Sequence, residues 1–170
     1  MSASAGVELK VGPSLGVLLP GDIDGAPVSP GPGIYYGGTG EHRFGSILSA
    51  EVGFGLALDM GHPPGEDSQG FPEYDVLDGD LVAGTAALVA DLAAFSVSAG
   101  IGYYYVYMEW TENLTGESVE RMDLEKQGLG YSLALGVNPA DLIDVRFTMH
   151  FPDMEHMWGT LTLNWKPLEI

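Results

Sequence analysis

"LIDVRFTMHF", residues 142–151, alternates apolar and polar side chains without a break from Ile143 to Phe151. On an extended chain, Ile143, Val145, Phe147, Met149 and Phe151 share one side, and Asp144, Arg146, Thr148 and His150 share the other. In a water-soluble sheet the apolar side packs inward. In a barrel set in lipid it points outward and the polar side fills the interior. The two arrangements mean different proteins, and the rest of the chain has to decide between them.

The same period of two recurs along nearly the whole sequence. Val7, Leu9, Val11, Leu15, Val17 and Leu19 oppose Glu8, Lys10, Gly12, Ser14 and Gly16. Leu48, Ala50, Val52, Phe54, Leu56 and Leu58 oppose Ser49, Glu51, Gly53 and Gly55. Phe95, Val97, Ala99, Ile101, Tyr103, Tyr105 and Tyr107 oppose Ser96, Ser98, Gly100, Gly102 and Tyr104. Similar patterns over 34–44, 128–137 and 157–166, with a weaker one over 80–92, bring the expected number of strands to eight. "DLVAGTAALVADLAAF" has helix-forming composition, but its neighbours argue for a strand. Long connections are expected over about 20–33, 61–79, 111–123 and 152–155, and tight turns near 45–46, 93–94 and 138–141. That predicts an all-β, antiparallel, up-and-down barrel formed as a single domain over 1–170, with long loops at one end and short turns at the other.

Composition narrows the function. The chain has 170 residues and no cysteine, which excludes a disulfide scaffold, a zinc ribbon and a thiol nucleophile. Net charge is −18 with only six Lys and Arg, so nucleic-acid binding is excluded. No run reaches the ~18 apolar residues of a membrane helix. The opening "MSASAG" has neither a basic segment nor an apolar core, so no signal peptide is read there.

The face contents set the sign of the alternation. The polar face is mostly Gly, Ser, Thr and Ala, which suits the narrow lumen of an eight-stranded barrel. The apolar face sorts its aromatics to two levels. Phe44, Phe95 and Trp165 lie near the short turns; Tyr36, Tyr105, Tyr107 and Phe151 lie near the long loops. Two aromatic bands around an aliphatic middle are the girdles of a barrel in lipid. The few charges on the polar face balance: Lys10, Arg43, Arg146 and Lys166 against Glu8, Glu41, Glu51 and Asp144, all in the half nearest the short turns. They are expected to form an ion-pair network across the lumen, with Arg43 reaching Glu41 or Glu51.

On these features the chain resembles the small eight-stranded bacterial outer-membrane barrels, such as the transmembrane domains of outer-membrane proteins A and X. The resemblance covers nearly all of the chain and rests on pattern, without a diagnostic motif. It implies a monomer in the outer membrane of a Gram-negative bacterium, with lipid and lipopolysaccharide as partners. It also implies extracellular loops, and turns and both termini in the periplasm. Such barrels usually end in an aromatic residue; here Trp165 would fill that position, followed by Pro167-Leu168-Glu169-Ile170.

Seventeen of the 24 carboxylates fall at the long-loop end, against Arg121 and Lys126. They read as a solvated, self-repelling rim, or as calcium ligands, since Ca²⁺ prefers several oxygens. Asp22 and Asp24 of "DIDG" and Asp75, Asp78 and Asp80 of "DVLDGD" are the candidate ligands. An enzyme is not expected: no Ser lies two residues from His42, His62, His150 or His156, and the Gly-rich "GPGIYYGGTG" has no following Lys to make a phosphate loop. The expected role is structural, or surface interaction through acidic loops above a side-chain-filled lumen. Two alternatives stay open. One is a porin-like channel for small or apolar solutes, similar to the outer-membrane protein W type, which needs an open lumen or lateral gap. The other is a soluble barrel carrying an apolar ligand, which would purify without detergent.

Overall fold

The computed structural model describes residues 8–21, 31–58, 60, 74–114, 118–140, 142–152 and 157–169. Eight strands follow one another: β1 (Glu8–Leu19), β2 (Gly33–Arg43), β3 (Leu48–Leu58), β4 (Tyr74–Leu92), β5 (Phe95–Leu114), β6 (Ser118–Ala140), β7 (Ile143–Phe151) and β8 (Trp158–Trp165). Each pairs antiparallel with its sequence neighbours, and β8 pairs back onto β1, so the sheet closes. A two-residue β9 (Leu168–Glu169) continues along β1 after Lys166 and Pro167. Pro167 has no N–H to give a ladder, which accounts for the interruption. The segment of helix-like composition is strand, the continuous β4.

The register fixes how the barrel closes. Paired residues lead from Tyr36 through Leu56 and Val82 to Tyr105 on β5. In the other direction they lead from Tyr36 through Leu15, Leu163, Val145 and Val137 to Phe95 on the same strand. The two routes arrive ten residues apart. Such a stagger in eight strands tilts each by about 41° to the barrel axis, for a rise of ~3.3 Å and a spacing of ~4.8 Å. One residue then climbs ~2.5 Å along the axis, and an apolar band ~25 Å tall takes about ten residues. β1, β2, β3 and β7, with 12, 11, 11 and 9 residues, match that height.

β4, β5 and β6 do not; they run to 19, 20 and 23 residues. β3 leaves β4 at the Ala57–Leu81 pair, and β7 leaves β6 at the Tyr131–Phe151 pair. Beyond those pairs β4–β5–β6 continues as a three-stranded sheet projecting roughly 20–30 Å from the loop end at that climb. This corrects the expectation of loops over 61–79 and 111–123: residues 74–79, 111–114 and 118–123 are strand. Clustered carboxylates suggested coil, but a sheet standing in water can carry charges on its surface. Tyr105, Val106, Tyr107, Trp110, Thr111 and Val119 supply strand propensity between them.

The wall is apolar on the outside. Leu15, Val52, Phe54, Leu88, Ile101, Leu129, Leu135, Phe147 and Leu161 are all exposed there. The inward positions beside them, Ser14, Glu51, Ser132, Asp144, Arg146, Thr160 and Thr162, are buried. This is the reverse of a water-soluble barrel. In "LIDVRFTMHF", Phe147 faces out and Asp144 and Arg146 face in.

β4 and β5 join through the two-residue turn Ala93–Ala94, where Ala93 takes a φ of 62°. A side chain in the left-handed region costs roughly 1–2 kcal/mol, and tight hairpins favour glycine there. Ala93→Gly is expected to stabilise the barrel by about 1 kcal/mol, read as a higher urea midpoint.

Candidate functional site

The lumen holds two plugs of opposite chemistry. At the turn end the register sets Glu41 of β2 directly beside Glu51 of β3, both pointing inward. Like charges in that position repel, and the cations come from β7 and from the end of β8. Lys166, just after β8, reaches 2.5 Å from Glu41 Oε2 and 3.2 Å from Glu51 Oε2. Arg146 of β7 donates from Nη1 to Glu51 Oε1, and its Nη2 lies 2.5 Å from Asp144 Oδ2. Asn164 Nδ2 also donates to Asp144 Oδ2, at 3.3 Å. Five charges therefore form one chain across the lumen, each under a tenth exposed.

Arg43, expected to reach Glu41 or Glu51, also has a carboxylate partner within reach on β4. Its Nη2 lies 2.7 Å from Asp91 Oδ2, nearer the mouth. Asp91 N donates to Ile47 O at 2.7 Å, which pins the end of β4 beside the β2–β3 turn and brings Asp91 to Arg43. The weak alternation of this strand concealed Asp91 as an inward residue. Lys10 lines the same mouth, and Glu8 pairs with Arg43 by register; its side chain is outside the described residues. The mouth opens as a vestibule of about 530 Å³ with Lys10, Arg43, Asp91 and Asn138 on its sides and Asp144, Arg146 and Lys166 deeper in.

Above the ion pairs lies a smaller chamber of about 50 Å³, walled largely by hydroxyl side chains. Its roof includes His150, whose Nδ1 is 3.1 Å from Tyr104 Oη and whose Nε2 is 3.0 Å from Thr160 Oγ1. His150 thus sits in the lumen, held on both ring nitrogens.

Toward the loops the lumen becomes apolar. Leu18, Met60, Leu81, Met108, Trp110 and Trp158 pack together, none more than 4% exposed. Met60 is fixed by backbone bonds from Gly31 N to its carbonyl and from its own N to Gly79 O, both 3.2 Å. A Cβ at Gly33 would stand 2.7 Å from Met60 Cγ and one at Gly79 3.0 Å from its Cβ, so both glycines make room for it. Sequence reasoning missed this cap because it equated the lumen with small and polar residues. The signal was there: Tyr104, Val106, Met108 and Trp110 share a face of β5, and Trp158 shares one with Thr160.

On the outside, Phe44, Phe95 and Trp165 are exposed at the turn end and Tyr36 nearer the loops; Tyr105, Tyr107 and Phe151 are half-buried. Phe151 stacks on Tyr131 with centroids 4.5 Å apart, and Tyr107 Oη donates to Glu109 Oε2 at 3.2 Å. Of the candidate calcium ligands, Asp22 and Asp24 lie outside the described residues. Asp75 and Asp78 fall on β4, their side chains outside the described set, and Asp80 pairs with Tyr107. Among the described residues no three His, Asp or Glu side chains converge as a metal site.

No protein-family model matches the chain, and no curated protein matches it. Solved structures do. The crystal structure of Ail, the attachment invasion locus protein of Yersinia pestis, aligns at a TM-score of 0.62 with 16% identity, over 93% of this chain and 95% of that one. Ail in complex with the heparin analogue sucrose octasulfate aligns at 0.57 with 19% identity, over 93% and 95%. The backbone structure of the outer-membrane protein Ail in a phospholipid bilayer nanodisc aligns at 0.54 with 13% identity, over 92% and 98%. At such identities the likeness is one of fold: this chain has the closed, eight-stranded, antiparallel barrel that this outer-membrane protein has.

Proposed function

We propose that the protein is an integral outer-membrane barrel that conducts nothing through its lumen and acts, without catalysis, through the acidic sheet projecting from its loop end. The observation that carries this reading is the pairing of an apolar outer wall with the β4–β6 projection. Membrane residence is supported by the inverted wall: charges inside, Leu, Ile, Phe and Val outside. The same inversion disfavours a soluble carrier of apolar ligands. Two successive plugs, one ionic and one apolar, disfavour a channel.

Interaction at the surface is supported by the projection. Among the described residues, β4 over 74–78 and β6 over 118–130 each pair on one side only. Unpaired strand edges take up extended segments of other chains. Asp75, Asp78, Asp80, Glu109, Glu112, Glu120, Asp123 and Glu125 make the projection acidic, so its partner is proposed to be cationic at the contact. The contrast with Ail is informative: sucrose octasulfate is a polyanion, and a chain of net charge −18 repels one. Calcium at these carboxylates, bridging to lipopolysaccharide, is proposed as a second use of the same charge.

Proteoliposomes carrying the protein are expected to bind polylysine and not heparin, with polylysine binding falling as salt rises from about 50 to about 500 mM, a roughly tenfold span that shortens the Debye length about threefold. Planar bilayers are expected to show no steady current. Heparin binding overturns the choice of partner, and an open-channel current overturns the sealed lumen.

A further inference from the structure

We propose that the vestibule at the turn end is a binding site for an α-amino-acid group, an ammonium and a carboxylate on one carbon, held against the Arg43–Asp91 pair. The first ground is where the charge sits. The chain has six Lys and Arg, and four of them, Lys10, Arg43, Arg146 and Lys166, line this one cavity. Three carboxylates, Glu41, Asp91 and Asp144, line it with them. In a protein of net charge −18 the vestibule is thus close to neutral and densely charged. A lone anion entering it meets carboxylates and a lone cation meets Lys and Arg, so each finds repulsion beside attraction. A zwitterion offers both signs and leaves the balance intact.

Exposure then picks the pair. Arg146, Lys166, Glu41 and Asp144 are committed to the plug, each under a tenth exposed, and form the floor. Arg43 and Asp91 stand nearer the mouth, with side chains 35% and 17% exposed. Arg43 Nη2 lies 2.7 Å from Asp91 Oδ2, which sets a positive and a negative group side by side on the cavity wall. An α-amino acid carries the same two charges at a similar spacing. Laid antiparallel over the pair, its carboxylate takes N–H bonds from the guanidinium fork, and its ammonium donates to the Asp91 carboxylate. A guanidinium has more N–H groups, and a carboxylate more lone pairs, than their mutual bond uses, so the pair keeps that bond while the ligand is held.

Size and rigidity agree. A volume of about 530 Å³ lies within the ~300–1,000 Å³ range of small-molecule sites. The backbone positions the pair: Asp91 N donates to Ile47 O at 2.7 Å, tying the end of β4 to the β2–β3 turn. At and beside the β6–β7 turn, Ala140, Leu142 and Ile143 form an apolar lip that suits an aliphatic side chain. Leucine has both the paired charges and the side chain.

Ligand-observed nuclear magnetic resonance on the full chain in nanodiscs tests this, with empty nanodiscs as the blank. Leucine is expected to bind saturably. N-acetylleucine lacks the ammonium and leucinamide lacks the carboxylate; each is expected to bind about tenfold more weakly, having lost one charge-assisted contact. Leucylleucine, whose charges stand a peptide unit further apart, is expected to bind weakly as well. Asp91→Asn, with folding checked by circular dichroism, removes the partner of the ammonium and leaves Arg43, so leucine and N-acetylleucine are expected to bind that variant alike. A merely loosened mouth would weaken both and keep their ratio. No saturable leucine binding, or wild-type binding of N-acetylleucine or leucinamide as tight as that of leucine, overturns the site. Leucylleucine binding as tightly as leucine overturns the amino-acid class. An unchanged preference for leucine in Asp91→Asn overturns the Arg43–Asp91 pair as its seat, and if that variant fails to fold, the wild-type ligand series still decides.

Discussion

Arg146→Ala is expected to destabilise the barrel by about 3–5 kcal/mol, the usual result of removing one partner from a buried ionic network. Arg146 alone binds both Glu51 and Asp144. Without it, Lys166 faces Glu41 and Glu51 unaided, and Asp144 keeps only the amide of Asn164. Three buried carboxylates would then share one cation within the chain. Urea midpoints in lipid vesicles give the loss directly. Adding Glu51→Gln and Asp144→Asn should recover most of it, because the cost lies in stranded charge and not in lost packing. A loss below about 1 kcal/mol would place the pair in the class of exposed ion pairs and contradict the burial described here. The same variant is expected to stay electrically silent. Removing Arg146 joins the vestibule to the chamber, but Leu18, Met60, Leu81, Met108, Trp110 and Trp158 still close the other end. Ions would appear only if that apolar cap also failed.

How far the sequence carried this picture depends on how local each feature is. Facing is local: strict alternation puts Arg146 and Phe147 on opposite sides of any strand, and aromatic sorting supplies the sign. Strand order follows from short turns and chain continuity. Partner choice is not local. Arg43 meets Asp91 because of how β4 is pinned at Ile47, which no pattern within either strand encodes. The ten-residue stagger at closure is likewise a property of all eight strands together. The projecting sheet was misjudged for a different reason. Residues 111–114 and 118–123 carry the charge of a loop, and charge says only that a residue meets water, not that its backbone has left the sheet. Most of the apolar cap lies on strand faces that alternation marks as inward, but Met60 lies outside any strand and has no periodicity to reveal it. Among the described residues its position is set by backbone bonds with Gly31 and Gly79, distant in sequence.

The placement in lipid has its own decisive experiment, a comparison of one substitution at two depths. Ile101→Arg is expected to cost about 2–4 kcal/mol, the range for a cation near the midplane on the outer face of a membrane barrel. Ile101 is 67% exposed on the wall, between Ala86 of β4 and Tyr131 of β6. No carboxylate is paired beside it, so the guanidinium would have to reach for the interface or draw water into the apolar zone. Tyr107 lies on the same face of β5, six residues nearer the loops, beyond the level at which β3 leaves the sheet. Its register partners are Asp80 and Glu125. An arginine there would stand between two carboxylates at the water-facing end, and Tyr107→Arg is expected to cost under about 1 kcal/mol, as charged residues do near the interface. Unfolding both variants from bilayer vesicles gives the two costs on one scale. If the apolar wall faced water instead, Ile101→Arg would remove an exposed hydrophobic side chain and cost almost nothing. A large penalty at Ile101 with a small one at Tyr107 requires lipid at the first position and water at the second; equal costs at both would remove the barrel from the membrane.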